Sequence, residues 1–403
     1  MYSLNDDRSL LSARVAHIVL LIICRAILCV IFIAGLSPFT PWQRNQVEWL
    51  ENQNGLHFGE YASILTSAPL RWDEPLDGPC SIEFWMQPGV IEDSNTMMAF
   101  DSPGAPVHFA IRQSLDDLAL AWTTTTSQRY SKQGVLYIPH ALRKDTPSFI
   151  TLTSGPAGVN VYLNGVLVHS SKGSRVARTD LTGQMVIGNS PWADDSWSGV
   201  LHGIGLYARE LTAEQVRQNF TDWTISGQPM APAEEQAIAI FTFKEKRGAL
   251  VANQIPGGID LFIPNHYMVL HPRFLEPFWR PTAWSWGFWK DVLVNVFGFV
   301  PLGFFFCVYF SRSMPVKRAI LVTIVFGCAV SFSIEATQYF LPTRDSDSRD
   351  WLNNTLGTAL GALAYAPGFV QTILARVGFA TRGVSSTRQV TSICLDPTVS
   401  ANS

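Results

Sequence analysis

The chain of 403 residues combines two kinds of hydrophobic pattern. Four apolar runs lie at Val15 to Leu36 and near 291–310, 319–341 and 350–375. A run of about 20 apolar residues crosses the hydrocarbon core of a bilayer. Between the first and second runs, residues 46–265 contain only short apolar stretches, broken by Gly, Pro, Asn and Asp. The pattern predicts four transmembrane helices and one large inserted segment outside the membrane.

The inserted segment has the pattern of an antiparallel β-sandwich. Short runs rich in β-branched and aromatic residues, such as Ser81 to Trp85, recur along it. Asn164-Gly165 is a strong signal for a two-residue hairpin turn. Many short strands separated by turns are typical of sandwiches and jelly rolls. The predicted fold class is therefore mixed: a four-helix transmembrane bundle with an extracytoplasmic jelly-roll sandwich.

Loop charges predict the orientation in the membrane. The loop between the second and third apolar runs carries only basic charges, at Arg312, Lys317 and Arg318. Basic loops stay in the cytoplasm. Four spans then place residues 1–14 inside and the sandwich outside. Residues 378–403, rich in Ser, Thr and Arg, are predicted to form a disordered cytoplasmic tail.

Composition excludes several functional classes. Basic residues number 29 and acidic residues 32, so the net charge of -3 argues against a nucleic-acid binder. Charged residues make up only 15% of the chain, as expected of a membrane protein. The six cysteines form no CxxC pair, so we expect neither a disulfide framework nor a zinc site, and no cofactor.

Two apolar runs begin with the same pattern, D-x-L-x-N-x-x-G. It places Asp291 and Asn295 on one helical face, and Asp350 and Asn354 on another. The pattern indicates an internal repeat that enters from the outer side. The alternative is helix capping, since a carboxylate at a helix N-terminus favours the helix dipole. Capping does not account for the two asparagines, one turn deeper.

The third run places Ser331, Glu335 and Gln338 on one face near its outer end. An ionisable group inside a membrane is a functional-site hypothesis by default. Arg344, in the following loop, is expected to pair with Glu335 or with an anionic ligand. The alternative is an ion pair of Glu335 with Arg25 or Arg344 that only fixes helix packing.

These residues together predict a polar site in the outer leaflet. Its predicted ligand-binding residues are Asp291, Asn295, Glu335, Gln338, Arg344, Asp350 and Asn354. Its predicted helix-packing residues are Pro301, Gly303, Gly357 and Gly361. If the site is catalytic, Glu335 and Asp350 are the acid and base candidates.

The sandwich has weaker candidates. Trp192 and Trp197 are predicted to stack on sugars or to pack in the core. Asp194 and Asp195 are weak calcium candidates, because calcium prefers oxygen ligands, or simply residues of a solvated loop.

Two family resemblances follow from sequence segments. The inserted segment resembles concanavalin A-like, laminin G-like domains through SIEFWMQPG, VNVYLNGVLV, QMVIGNSPW and WSGVLHGIGLYARELTAEQV. Residues 266–375, with Val15–Leu36 as a first helix, resemble the VanZ-like membrane family through NVFGFVPLGF, SFSIEATQYF and RDSDSRDWLNNTLGTALGAL. The departure is the sandwich inserted between helix one and helix two. The resemblance implies an association with resistance to teicoplanin-type glycopeptide antibiotics, but no molecular mechanism.

The sequence thus predicts a multi-pass protein of the bacterial cytoplasmic membrane with a binding function. Its sandwich is expected to recognise a surface glycan or envelope protein, and its polar site a lipid head group or lipophilic ligand. One alternative is a membrane enzyme that acts on a lipid-linked envelope intermediate. A second is a small transporter, which the repeat favours.

Overall fold

The computed structural model describes residues 3–73, 75–102, 107–124, 134–278 and 286–379. For residues 3–13, the description is of the backbone only. The predicted tail at 378–403 lies outside the described residues from residue 380 onward.

The sandwich consists of two antiparallel sheets. The strands of the first sheet are β1 (Val47–Trp49), β2 (Leu56–Phe58), β4 (Cys80–Pro88), β9 (Ser148–Gly155), β10 (Gly158–Leu163), β11 (Val166–Ser171), β13 (Gly199–Tyr207) and β14 (Ala237–Phe241). Those of the second sheet are β3 (Ile64–Thr66), β5 (Thr96–Asp101), β6 (Val107–Ser114), β7 (Asp117–Thr124), β8 (Val135–Ile138), β12 (Gln184–Ile187), β15 (Leu250–Val251) and β16 (Leu261–Phe262).

The order of the strands shows that neighbours in each sheet are often distant in sequence. In the first sheet the order is β1-β2-β13-β4-β9-β10-β11, and β14 also pairs with β13. In the second sheet the order is β15-β16-β3-β12-β5-β6-β7-β8. The predicted antiparallel sandwich is confirmed.

Local sequence signals account for the hairpins. The Asn164-Gly165 turn joins β10 to β11, with Leu163 paired to Val166. Both turn residues have positive φ, 51° and 79°. Asparagine and glycine tolerate this conformation better than other residues, which is why they favour the tight turn.

The core lies between the two sheets. Alternate residues of β4, among them Ile82 and Phe84, face buried residues of the second sheet such as Phe109 and Ile111. Burying each such side chain contributes roughly 1.5–3 kcal/mol. The opposite face of the first sheet is covered by a helix, so β4 is buried on both faces.

Helix α2 (Ala213–Ser226) covers that face. It begins with a capping box, in which Thr212 and Gln215 exchange hydrogen bonds, and ends at Gly227 with a φ of 72°. Its Trp223 packs so close to Gly203 that any side chain at that position would overlap the indole ring. Glycine is therefore required at this point of β13.

The remaining helices are α1 (Ser3–Leu36), α3 (Trp286–Ser311), α4 (Val316–Gln338), α5 (Ser348–Ala364) and α6 (Gly368–Arg376). Among the described residues, three segments are long and apolar enough to cross a membrane: Arg14–Leu36, Phe288–Ser311 and Val316–Gln338. The predicted fourth span is bent by 74° between α5 and α6, and counting this pair as one span gives four. These apolar helices indicate a membrane protein.

The described residues form two compact units. The helical unit contains residues up to Ala34, Lys290–Ser331 and the residues from Leu352 onward. The sandwich unit contains Gly35–Trp289 together with Phe332–Trp351. The last turns of α4, the first turn of α5 and the loop between them therefore belong to the same unit as the sandwich.

In the helical unit, α3 and α5 are in close backbone contact. A side chain at Gly361 would overlap the carbonyl oxygen of Val300, and one at Gly357 would overlap that of Val296. Gly303 of α3 lies equally close to α5, because a side chain there would overlap the carbonyl oxygen of Thr358. Pro301 lies inside α3. Small residues permit such approach between helices in a membrane.

Candidate functional sites

Glu335 lies near the end of α4, and its side chain is held inside the sandwich unit. The residue is only 1% exposed, and its carboxylate accepts a hydrogen bond of 2.8 Å from the backbone N–H of Asp347. Because α5 begins one residue later, the carboxylate lies beside the N-terminus of that helix, where a negative charge is favourable. Glu335 therefore fixes the loop between α4 and α5.

Further acidic groups surround Glu335. The carboxylates of Asp347 and Asp350 interact with it electrostatically. Among the described residues, no ion pair involves Glu335. Within the sandwich unit, the alternative of an ion pair between Glu335 and Arg344 is thus not formed, while Arg25, the other alternative partner, belongs to the helical unit. Glu335 is 1% exposed, whereas Asp347 and Asp350 are half-buried and carry the accessible surface of this acidic group.

The α4–α5 loop is hydrogen-bonded to the segment that follows the sandwich. The N–H of Glu276 donates to the carbonyl of Ser346 (2.9 Å), and the N–H and hydroxyl of Ser348 donate to the carbonyl of Glu276 (3.1 and 2.6 Å). Glu276 is buried. The sequence analysis missed this contact, because a single acid in an aromatic-rich linker carries no motif.

Two other predicted residues lie in the same unit. The amide of Gln338 donates to the carbonyl of Gly35 (2.8 Å), while its side-chain oxygen is buried without a hydrogen bond. Arg344 is half-buried, and its Nε atom is buried without a hydrogen bond. Both residues therefore retain unused hydrogen-bonding capacity.

Of the other predicted residues, Asp291, Asn295 and Asn354 belong to the helical unit, and Asp350 belongs to the sandwich unit. The amide of Asn354 donates to the hydroxyl of Ser331 (3.0 Å), and this buried bond links α5 to α4. Asp291 is exposed on α3, and Asn295 is half-buried there. Asp350 lies in the first turn of α5, whereas α3 begins at Trp286 with no acid in its first turn. Capping therefore applies to Asp350 and not to Asp291.

The two candidate sugar-stacking tryptophans differ in exposure. Trp197 is 1% exposed, and its indole N–H donates to the side chain of Gln113 (2.9 Å). Its ring faces are covered by the core, so the stacking role does not fit Trp197 and the core alternative does. Trp192 is half-buried, with its ring 4.5 Å from that of His108. Only Trp192 of this pair presents accessible aromatic surface.

The two calcium candidates have protein partners. Asp194 accepts a hydrogen bond of 2.6 Å from the hydroxyl of Tyr267, and burial raises the pKa of Asp194 to about 6. Asp195 accepts from the hydroxyl of Thr96 (2.6 Å) and forms an ion pair with Arg112. A guanidinium on Asp195 competes with any cation there, so the structure accounts for this acid by its role in linking the loop after β12 to β5 and β6.

One group of metal-ligand side chains occurs among the described residues, at Asp116, Asp117 and His140. The imidazole of His140 lies 2.6 Å from the carboxylate of Asp116. This contact lowers the pKa of Asp116 and raises that of His140. Asp117 accepts the backbone N–H of His140 (2.9 Å). These internal bonds explain the group as a link between two loops.

A cavity of about 350 Å³ opens into the sandwich. We call it the polar cavity. Its lining residues are Glu60, Val90, Asp93, Asn95, Gln113, Ser196, Trp197 and Ser198. They come from separate loops and from β6, so no local motif in the sequence marks the cavity. Typical ligand sites have volumes of about 300–1,000 Å³.

Comparison with protein families divides the chain in two. Residues 58–217 match the concanavalin A-like lectin/glucanases superfamily, and residues 238–371 match the VanZ/LLP1 family. Both predicted resemblances, and their order, are confirmed. No curated protein matches the chain by sequence.

Solved structures are similar to the sandwich at low identity. A candidate carbohydrate binding protein from Bacteroides ovatus has 15% identity and a TM-score of 0.39, and the match covers 53% of this chain and 58% of the Bacteroides chain. The receptor binding domain of botulinum neurotoxin D has 14% identity and a TM-score of 0.32, covering 46% and 50%. A SAP-like pentraxin from Limulus polyphemus has 14% identity and a TM-score of 0.32, covering 55% and 94%. This chain therefore spans less than two thirds of the first two structures.

The strand order of the sandwich, the apolar helices and the two family matches agree with one another. The chain contains a concanavalin A-like lectin domain followed by a VanZ-like membrane domain.

Proposed function

We propose that this chain is a binding protein of the bacterial cell envelope, held in the cytoplasmic membrane with its sandwich outside and both termini inside. The sandwich recognises a surface glycan or an envelope protein. The polar site near Glu335 holds a lipid head group or a lipophilic ligand. The basic loop between α3 and α4 supports this orientation, because such loops stay in the cytoplasm.

One observation carries the proposal. The sandwich and the α4–α5 loop belong to a single compact unit, joined by the hydrogen bonds of Glu276 with Ser346 and Ser348. A lectin domain attached by a flexible linker leaves the membrane site unaffected when it binds. Here the two share one hydrogen-bonded framework, which supports recognition of a ligand that has both an envelope part and a membrane part.

The membrane part of the proposal is tested by lipid cross-linking to the full chain in nanodiscs. The acidic groups around Glu335 favour a head group that carries an ammonium, so photoactivatable phosphatidylethanolamine should cross-link more than phosphatidylglycerol. Glu335→Gln removes the charge but keeps an oxygen to accept the Asp347 N–H, so the fold should persist while cross-linking falls. Glu234→Gln, at an exposed acid of the sandwich, is the matched control.

The sandwich part is tested by glycan-array binding of the same full-length protein. Binding to at least one bacterial surface glycan is expected. Absence of glycan binding together with equal cross-linking of both lipids would contradict the proposal.

Resistance to glycopeptide antibiotics is a further proposal, supported by the VanZ-like domain. Expression in a sensitive bacterium should raise the inhibitory concentration of teicoplanin, and Glu335→Gln should abolish the increase. An increase that is unchanged in the variant would show that resistance does not depend on the polar site.

A further inference from the structure

The residues that form the floor of the polar cavity are hydrogen-bonded to one another and to the neighbouring backbone. The amide of Gln113 donates to the carbonyl of Val90 (2.5 Å), and its oxygen accepts the indole N–H of Trp197. The backbones of Gln113 and Asn95 exchange two hydrogen bonds, of 3.0 and 2.9 Å. The side-chain amide of Asn95 donates to the carbonyl of Ser196. Each of these two side-chain amides therefore already donates one N–H to the protein, and Trp197 donates its only one.

Most of the groups that remain for a ligand are acceptors. The side-chain oxygen of Asn95 and the carboxylate of Asp93 receive no hydrogen bond from the described residues. The hydroxyl of Ser198 donates to the carbonyl of Gly59 (3.1 Å), which leaves its oxygen able to accept. Glu60 adds a second exposed carboxylate. A ligand that satisfies this lining must be rich in hydrogen-bond donors.

The charge of the cavity lining further restricts the class of ligand. Neither Glu60 nor Asp93 forms an ion pair within the described part of the chain. Arg112 contacts the adjacent loop at Ser94, but its charge is neutralised by the ion pair with Asp195. The cavity therefore attracts cations and repels carboxylated sugars. Val90 adds an apolar contact for the C–H face of a sugar ring.

We propose that the polar cavity binds a basic saccharide, a sugar unit whose hydroxyls and free amino group are both directed at Glu60, Asp93 and Asn95. This inference rests on the proposed glycan recognition by the sandwich and identifies its site and its ligand class. Hydrogen bonds between an ammonium and a carboxylate are roughly twice as strong as neutral ones, so the amino group is the main source of selectivity.

The test uses the full chain in nanodiscs at physiological salt, with calorimetric titration of three probes. These are a glucosamine trisaccharide, its N-acetylated counterpart and a galacturonate trisaccharide. We expect the glucosamine probe to bind at least tenfold more tightly than the N-acetylated probe, and the galacturonate probe not to bind. Asp93→Asn and Glu60→Gln should each weaken the glucosamine probe about tenfold to hundredfold.

Glu92→Gln is the matched control, because Glu92 is an exposed acid of the same loop that lies outside the cavity lining. It should bind like the wild type. Unchanged binding in both cavity variants, or equal binding of the N-acetylated probe, would overturn the inference. If none of the three probes binds while the glycan array is positive, the cavity inference fails and the proposed function stands. A negative array with no probe binding overturns the inference and also removes the glycan part of the proposed function.

Discussion

Glu83 is the acceptor at the centre of a buried network between the first sheet and α2. It is 0% exposed and accepts hydrogen bonds from the hydroxyl of Tyr207 (2.5 Å), the indole of Trp223 (2.8 Å) and the amide of Asn219 (2.9 Å). Asn219 also donates to Glu235 (2.9 Å). Two substitutions separate the loss of the acceptor from the loss of the charge: Glu83→Ala and Glu83→Gln.

The alanine variant leaves three buried donors without an acceptor. Each unsatisfied buried donor costs about 1–3 kcal/mol. Because Glu83 is mostly protonated at pH 5, the loss there is one of hydrogen bonds and packing, and we expect Glu83→Ala to lower the free energy of unfolding of the sandwich by about 3–5 kcal/mol. Glu83→Gln places one amide N–H against the amide of Asn219 and should cost about 1–3 kcal/mol at that pH.

The difference between wild type and Glu83→Gln should change with pH. Burial raises the pKa of Glu83 from 4.5 to about 7, although its three hydrogen bonds lower it in part. A carboxyl whose pKa is raised in the folded state contributes stability that is full below pH 4.5 and lost as the pH rises through about 7. The shift corresponds to about 3 kcal/mol. Glutamine does not titrate in this range. Above pH 7, the free energy of unfolding of Glu83→Gln should therefore equal or exceed that of the wild type.

Amide hydrogen exchange of the full chain in detergent measures this locally. Exchange is followed in β4 and α2 at pH 5 and pH 7.5, with exposure times scaled for the intrinsic exchange rate, and protection is converted to opening free energy. Glu234→Gln serves as the exposed control. A stability gap between wild type and Glu83→Gln that is the same at both pH values would refute the reasoning, as would an alanine variant as protected as the wild type.

Three further predictions follow from the membrane topology and the packing. Cysteines introduced at Ser171 and Ser313 should react differently with an impermeant thiol reagent in intact cells; labelling only at Ser313 would reverse the proposed orientation. Residues 46–265 expressed alone should give a β-type circular dichroism spectrum and a cooperative melt, since they contain both sheets and α2; an aggregated product would count against an independent domain. Gly361→Leu should separate α3 from α5 at Val300 and lower the thermal stability of the detergent-solubilised chain by several degrees, whereas an unchanged melt would show that the contact is dispensable.

Periodic and local signals made most of the fold predictable. Apolar runs located the helices, and the Asn164-Gly165 turn located a hairpin, because both depend on residues close in sequence. The fourth apolar run is bent by 74° between α5 and α6 beside Pro367, where a proline in the sequence predicts a kink or the end of a helix. Proline at that point lacks the N–H that would continue the helix.

The candidate sites were harder to predict, because they depend on which residues meet in space. Glu335 stands out in any sequence as an acid within an apolar run, but its bond to the backbone of Asp347 depends on the conformation of the loop. The Glu83 network joins residues more than 120 positions apart, and no spacing rule connects them. For Trp197, the sequence allowed an exposed sugar-stacking role. The structure shows it in the core, with its indole N–H bonded to Gln113, a residue 84 positions away.

The sandwich is inserted between α1 and α3, so apolar helices flank it on both sides. A surface domain attached by one stem is released from a cell by one proteolytic cut in that stem. Here a cut on either side leaves the other helix attached, and a cut within the sandwich leaves two fragments held together by paired strands from both halves, such as β2 with β13. In the proposed orientation, shedding of this domain would need two cleavages, so a single proteolytic cut would leave it on the cell.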